Sequence, residues 1–413
     1  MPTPVTTNVD AANDESISRL FNSQPVLIDV APAHEVVPGM TTRTILTSGA
    51  PLAADAYTGG QRLGLLGAAV YEGFASTIDE AETLLREGAL TIDGCHDHGV
   101  VGSVAGITSA SMPVLVVEDA STGRRGFCTL FEGASPARLN YGVWNDDVRV
   151  NLDQLKNEVA PALRTAIQAV GGVPLKPIIE RALRQGDELH SRNSAASLLF
   201  LREILPGLLS LNERDQKVLT DYLAAGDYFF LRPSMAACKV MADSMRDVEG
   251  STLVTAMAMS CSEFSIRVSG TGDRWFRGPL PTLQDCHLFP GHTRDDLEVM
   301  GGESIITEVC GLGGLAQAAA FPLQSYQGGS AQALIERNLE MYAVAHTEHP
   351  TFKIPALDYR GCPAGIDIRR VVQSGTTPLM DVGLPGKGGG QVGAGAYRAP
   401  MSPFQEACEA LGL

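Results

Sequence analysis

The chain has 413 residues, 44% of them apolar and 19% charged, with a formal net charge of −16 and a pI near 4.9. That length is too great for one hydrophobic core and predicts two or three domains. So acidic a balance excludes nucleic-acid and anionic-membrane binding, which need a basic footprint, and leaves any anionic ligand to a few locally placed arginines.

No basic-then-apolar leader opens the sequence and no apolar run approaches ~20 residues, so the protein is expected in the cytoplasm. Eight cysteines are scattered without a C-x-x-C pair. They read as reduced thiols filling the core, with no zinc ribbon among them.

In chain order, Gln24–Val30 reads as a buried strand closed by Ala31-Pro32. Gly60–Phe74 predicts a small-residue helix, and Thr77–Glu87 an amphipathic one. Met112–Glu118 is a strand, and the alternation of strand and helix argues for an α/β layer. From Asn151 to about Tyr228 the pattern is helical throughout: Asp153–Val170, Leu175–Leu183, Glu188–Leu205 and Glu213–Leu223, punctuated by Pro161, Pro174, Pro177 and Pro206. After Met235 the mixed texture returns, with a helix to about Met245, then strands at Thr252–Met259 and Phe264–Ser269. The expected architecture is α/β (α+β mixed): an N-terminal α/β domain over residues 1–150, a central all-helical domain over 151–234, and a C-terminal α/β domain over 235–413.

One stretch stands out, Gly186-Asp187-Glu188-Leu189-His190-Ser191-Arg192-Asn193 followed by Ser194–Leu201. At 100° per residue, Asn193, Ala196 and Phe200 fall within about 40° of Leu189. A helix apolar on nearly every side is usually buried. Its polar first turn is then either an internal cap with satisfied partners, or one wall of a site between domains.

Four further strings could carry chemistry. Cys95-His96-Asp97-His98-Gly99 places two histidines around an aspartate, suited to proton transfer near neutral pH or to a metal if the backbone is extended. Ser269-Gly270-Thr271-Gly272-Asp273-Arg274-Trp275 offers hydroxyls, amides and an arginine as an anion cradle, or is a plain glycine hairpin; it lacks P-loop spacing. Arg360, Arg369 and Arg370 lie near a turn in Asp358–Arg370, and the strand Leu379–Val382 enters a glycine run with Lys387 that either closes over an anion or is a surface loop. Glu303 and Glu308, between glycine turns, are candidates for acid–base or cation work.

Together these strings look familiar. Gly186–Asn193, Arg267–Phe276, Ile354–Gly361, Gly390–Gly395, Val30–Ala33, Cys95–His98 and Thr108–Val114 resemble the YlbE/AllG family, from about residue 20 to the C-terminus. The resemblance implies a multi-domain protein similar to one subunit of oxamate carbamoyltransferase, working beside FdrA-like and YlbF-like subunits in allantoin and purine catabolism. The implied reaction is phosphorolysis of oxalurate to oxamate and carbamoyl phosphate. Many members of the family carry an additional N-terminal segment ahead of the Gln24–Val30 strand, of which this chain has little; if that segment helps dock partner subunits, the complex or the reaction is expected to differ here.

The resulting expectations name His96, His98 and His190 for proton transfer. Ser269, Gly270, Thr271 and Arg274 are assigned to phosphate, Arg360 to the substrate carboxylate, with Arg192, Asn193 and Lys387 also binding substrate. No cofactor and no metal are assigned. A homodimer is compatible with the glycine loops. His190, His98, Arg274 and Arg360 should then surround one cleft. Alternatives are a non-catalytic scaffold of an FdrA-type complex, and a stand-alone amide hydrolase with His96 and His98 serving a metal.

Overall fold

A computed structural model describes residues 8–133 and 135–413. The strand Pro25–Pro32 sits inside a four-stranded sheet, between Pro113–Asp119 and the two-residue strand Val173–Pro174, with Arg125–Thr129 outside. Alternate residues point to opposite faces. A bulge between Leu27 and Asp29 resets the alternation, so Leu27, Val30, Leu115 and Val117 join the main core, while Val114, Val116 and Phe127 join a smaller cluster with Ala33, Val37 and Leu46.

The sheets of this mixed α and β fold are small and mostly antiparallel. Among the described residues the one parallel ladder joins Thr44–Thr47 to Thr91–Gly94, beside an isolated parallel bridge between Val100 and Phe127; the other ladders are antiparallel. The alternation of strand and helix reflects helices laid on antiparallel sheets, so the architecture is mixed α and β with several small sheets. One apolar core runs from Ile17 to Cys408, through all three expected segments. No described helix is long and apolar enough to cross a membrane.

In the helical stretch, Asp146–Gln154 continues through a wide π turn, Leu155–Val159, into Ala160–Ala169. Pro161 has no N–H to give to the preceding turn, and the π turn absorbs that lost bond. The next helix begins at Ser194, six residues later than its periodicity suggests, and runs past Pro206 to Leu209. Gly186–Asn193 is thus a loop rather than a first helical turn. Leu189, placed by spacing on the helix face, is buried at a left-handed φ of 72°. The helix itself is not buried all round, since Leu198, Leu205 and Leu209 are 69%, 44% and 63% exposed.

A helix over Leu231–Ser244 begins four residues before its expected start and has all fourteen of its residues buried. Three of them, Arg232, Lys239 and Asp243, are charged. Lys239 and Asp243 satisfy each other at 2.8 Å, one turn apart. Arg232 faces elsewhere. Near the C-terminus Leu379–Pro385 and Gln391–Arg398 pair antiparallel, with Thr282–Leu288 beyond them.

Candidate functional site

The loop Gly186–Asn193 is fastened from both ends. Both Glu188 carboxylate oxygens accept backbone amides, those of Ser191 and Arg192. Asp187 accepts the Ala196 amide at 2.8 Å and so caps the following helix. Buried carboxylates resist ionisation. Burial pushes the Asp187 carboxyl up to about 6, and burial with the neighbouring charge of Asp381 raises Glu188 well above the usual range.

This fastening turns His190 inward, where Nδ1 lies 2.9 Å from Oε1 of Glu308. Glu308 also accepts from the Thr307 hydroxyl at 2.8 Å and from the amides of Gly314 and Asp381 at 3.0 and 2.9 Å. Its place requires a glycine nearby: a Cβ on Gly313 would stand 2.3 Å from Oε1, at a φ of +55°. Burial alone favours a neutral His190 ring, but the charge and hydrogen bond of Glu308, with Asp381 behind it, raise its pKa. Burial and the Glu308 charge in turn push Asp381 up to about 6. A carboxylate on Nδ1 fixes the ring and leaves Nε2, without a partner among the described residues, for a ligand.

His190 lines a cavity of about 190 Å³ with Ser191, Arg138, Arg232, Tyr228 and Glu298. Arg232 is 4% exposed and has no carboxylate partner among the described residues; one amino group reaches only the Cys128 sulfur at 3.9 Å, and Nε is unpaired. Arg138 lies over the Tyr141 ring at 4.1 Å and near Phe131 at 5.7 Å, again with Nε unpaired. A guanidinium out of water without a counterion is costly, and an incoming anion removes that cost. The cavity lining thus holds two guanidiniums without a carboxylate partner among the described residues, together with the carboxylate of Glu298.

Ser191 adds a donor. Its oxygen accepts from Gln327 at 3.1 Å, Gln327 meets Gln317 at 3.3 Å, and Gln317 donates to Asp381 at 2.6 Å. That string closes from Ser191 back to His190 through Asp381 and Glu308. The Ser191 proton itself has no acceptor among the described residues, so it is free for a ligand oxygen. Gly301 and Gly302 form part of the cavity wall, and a Cβ on Gly301 would meet the Ser48 hydroxyl at 2.4 Å. Behind them Glu303 accepts the amides of Gly49 and Gly102 at 3.0 and 2.8 Å, and burial pushes it up to about 8.

The other residues singled out in the sequence are placed differently. Arg192 and Asn193 line a neighbouring pocket. His96 and His98 lie on a short 3₁₀ helix, Cys95–His98, so their rings do not face the same way as they would on extended backbone. His96 is buried with Lys239 Nζ 3.1 Å from Nδ1; burial, then the Lys239 charge, hold it well below the usual imidazole range. Both ring nitrogens of His98 are engaged, by the Pro38 carbonyl at 2.7 Å and Asp93 at 2.9 Å. Among the described residues no group of three or more His, Cys, Asp or Glu side chains could hold a metal ion.

The Ser269–Arg274 string uses its donors locally. Ser269 donates to the Met245 carbonyl at 2.6 Å, Thr271 to that of Val268 at 2.9 Å, and the Gly270 amide to Ser251 at 2.9 Å. Arg274 pairs with Glu406 at 2.9 Å, and Arg360 with Glu348 at 2.7 Å while stacking on Tyr342. Lys387 donates to the Asp295 carbonyl at 2.7 Å. Of His190, His98, Arg274 and Arg360, expected around one cleft, only His190 lines this cavity.

Arg138, Arg232, Ser191 and Asp381 were not singled out as site residues from the sequence. For Arg232 a signal existed: it stands inside the run Phe229-Phe230-Leu231-Arg232-Pro233, where a charge breaks an apolar segment. Arg138, in Pro136-Ala137-Arg138-Leu139, carries no such mark.

Comparison with known proteins places the chain in a family. The family model described as oxamate carbamoyltransferase subunit AllG matches residues 90–304. The Escherichia coli (strain K12) protein named oxamate carbamoyltransferase subunit AllG is 35% identical over 415 residues, covering 98% of this chain and 98% of that one. YahG of the same strain, called uncharacterized, is also 35% identical, over 99% of this chain and 88% of its own length. A crystal structure of a conserved protein of unknown function from Enterococcus faecalis V583 superposes with a TM-score of 0.94 at 34% identity, covering 98% of this chain and 97% of that one. The chain belongs to the AllG family.

Proposed function

We propose that this chain is the substrate-binding, acid–base subunit of a cytoplasmic carbamoyltransferase, which cleaves oxalurate with phosphate to give oxamate and carbamoyl phosphate. The observation that carries the reading is Arg232, a buried guanidinium without a counterion, facing the same cavity as a carboxylate-oriented histidine. The name of the 35% identical Escherichia coli relative supports the reaction class.

Arg232, the deeper cation, takes the substrate carboxylate as a fork. Arg138, partly exposed and stacked on Tyr141, takes the phosphate, which keeps part of its hydration. A phosphate oxygen attacks the carbamoyl carbon and forms the new C–O bond. The Ser191 hydroxyl supports charge on the carbonyl oxygen. As the C–N bond to oxamate breaks, the leaving nitrogen takes a proton from Nε2 of His190, whose protonated form Glu308 stabilises.

That relative is named a subunit, and FdrA-like and YlbF-like chains are the proposed partners, with a homodimer compatible. Turnover is therefore measured in the reconstituted complex. His190→Asn should lower oxalurate phosphorolysis by about 10²–10⁴-fold with the complex intact. Wild-type turnover from the variant would remove His190 from the chemistry.

A further inference from the structure

Ser191 and Tyr228 line two spaces: the cavity above, and on their other side a pocket of about 240 Å³. The hydroxyls of Tyr228 and Tyr326 are hydrogen-bonded, and Gln391 donates to Tyr326, so this group forms the partition. The pocket is further lined by Arg192, Asn193, Ser194 and Asp227.

Asn193 is 2% exposed. Its Nδ2 donates to the His190 carbonyl at 2.9 Å, which fixes the amide: flipping it would set two carbonyl oxygens face to face. Its Oδ1 is then a buried acceptor without a donor among the described residues. An unmet buried acceptor is costly, and a ligand N–H would meet it. Beside it, Arg192 uses Nε on the Gly186 carbonyl at 3.0 Å and faces Asp187 at 3.4 Å, while its two terminal amino groups have no hydrogen-bond partner among the described residues. Asp227 is engaged through one oxygen by the Ser194 hydroxyl at 2.9 Å. The pocket thus presents a cation and an unmet acceptor together.

We propose that this pocket is a second binding site, for a small carboxylate that also carries an amide N–H, with Arg192 on the carboxylate and Oδ1 of Asn193 on the amide. Inorganic phosphate offers no N–H and fits less well. The inference rests on the transfer reading of the main cavity, because an amide acid is the reactant that loses or accepts the carbamoyl group. The site holds it one partition away from His190, whose carbonyl Asn193 already grips.

The test uses the full-length chain carrying Arg232→Ala, which weakens the main cavity and leaves the second pocket intact. Calorimetric titration with oxamate should retain one binding event. Oxalate, which replaces the amide by a second carboxylate, should bind about tenfold or more weakly, the consequence of one unmet hydrogen bond. Adding Arg192→Gln should abolish the event while the circular dichroism spectrum stays that of Arg232→Ala, although loss of the Nε contacts to Gly186 and Asp187 lowers the melting temperature. Loss of all oxamate binding in Arg232→Ala, oxalate binding as tightly as oxamate, or a binding event that survives Arg192→Gln would each overturn the proposal. None of these outcomes depends on His190, so the transfer reading stands or falls separately on the turnover of His190→Asn.

Discussion

Nδ1 of His190 and Oε1 of Glu308 stand 2.9 Å apart, both buried, although 118 residues separate them in the chain. The pair joins a loop of the helical stretch to a short helix between two glycine turns. Its electrostatics set a sign. His190 has a folded-state pKa raised by Glu308, so the stability drawn from its charged form is fully present below the ordinary imidazole range near 6.5. That stability is lost as pH rises through the raised folded value. Glu308→Gln should therefore flatten the decline of melting temperature above about pH 6.5. The variant's overall stability also drops, since the new amide faces the Gly314 and Asp381 amides, so the slope rather than the level is the test. The same substitution should move the alkaline limb of the rate profile to lower pH. Parallel profiles in both proteins would rule out the pairing as the source of the shift.

Arg232 gives a prediction of opposite sign for stability and function. Taking an unpaired charge out of water is costly, and an apolar side chain of similar length removes that cost. Arg232→Met should thus melt higher than wild type without ligand, and oxamate should raise its melting temperature by less than it raises that of wild type, the second pocket supplying what remains. A lower melting temperature for the ligand-free variant would mean that the guanidinium has a compensating partner.

Ser191→Ala removes the donor whose own acceptor is missing. The expected loss in kcat is about 10–10²-fold with KM nearly unchanged, as for a group that acts on developing charge. A raised KM at constant kcat would instead assign Ser191 to ground-state binding.

Packing of the helical stretch is tested at Gly207. An added Cβ there would stand 2.1 Å from the Ala166 carbonyl oxygen, where Ser194–Leu209 crosses Ala160–Ala169. Alanine normally gains about 1 kcal/mol over glycine inside a helix. Here Gly207→Ala should cost about 1–3 kcal/mol net, read from the urea midpoint, because the two helices must separate. A stabilised variant would contradict the close crossing.

Much of the local structure is legible in the sequence. Thr77 marks the start of Ile78–Arg86, where its side chain accepts the Glu80 amide, and Gln24–Val30 foretells the strand Pro25–Pro32. His190 and Glu308 were each visible as polar residues in conspicuous settings. Their meeting was not, because contact across 118 residues is a tertiary fact. Helical spacing misplaced Leu189, since a buried loop can repeat by chance the apolar positions of the helix it precedes. Ser269, Thr271 and Arg274 looked like ligand donors because sequence does not reveal that Met245, Val268 and Glu406 already take their hydrogen bonds. Arg232 is the converse case: its importance lies in the partner it lacks, and no spacing rule displays an absence.

The most direct measurement compares two arginines in the reconstituted complex. Oxalurate phosphorolysis should fall at least about 10²-fold on Arg232→Ala, the loss of a charge-assisted substrate contact, and stay within about twofold of wild type on Arg274→Ala, which breaks a surface pair with Glu406 and a contact over the Phe276 ring. Full activity in Arg232→Ala together with loss of activity in Arg274→Ala would contradict the placement of the site in the His190 cavity.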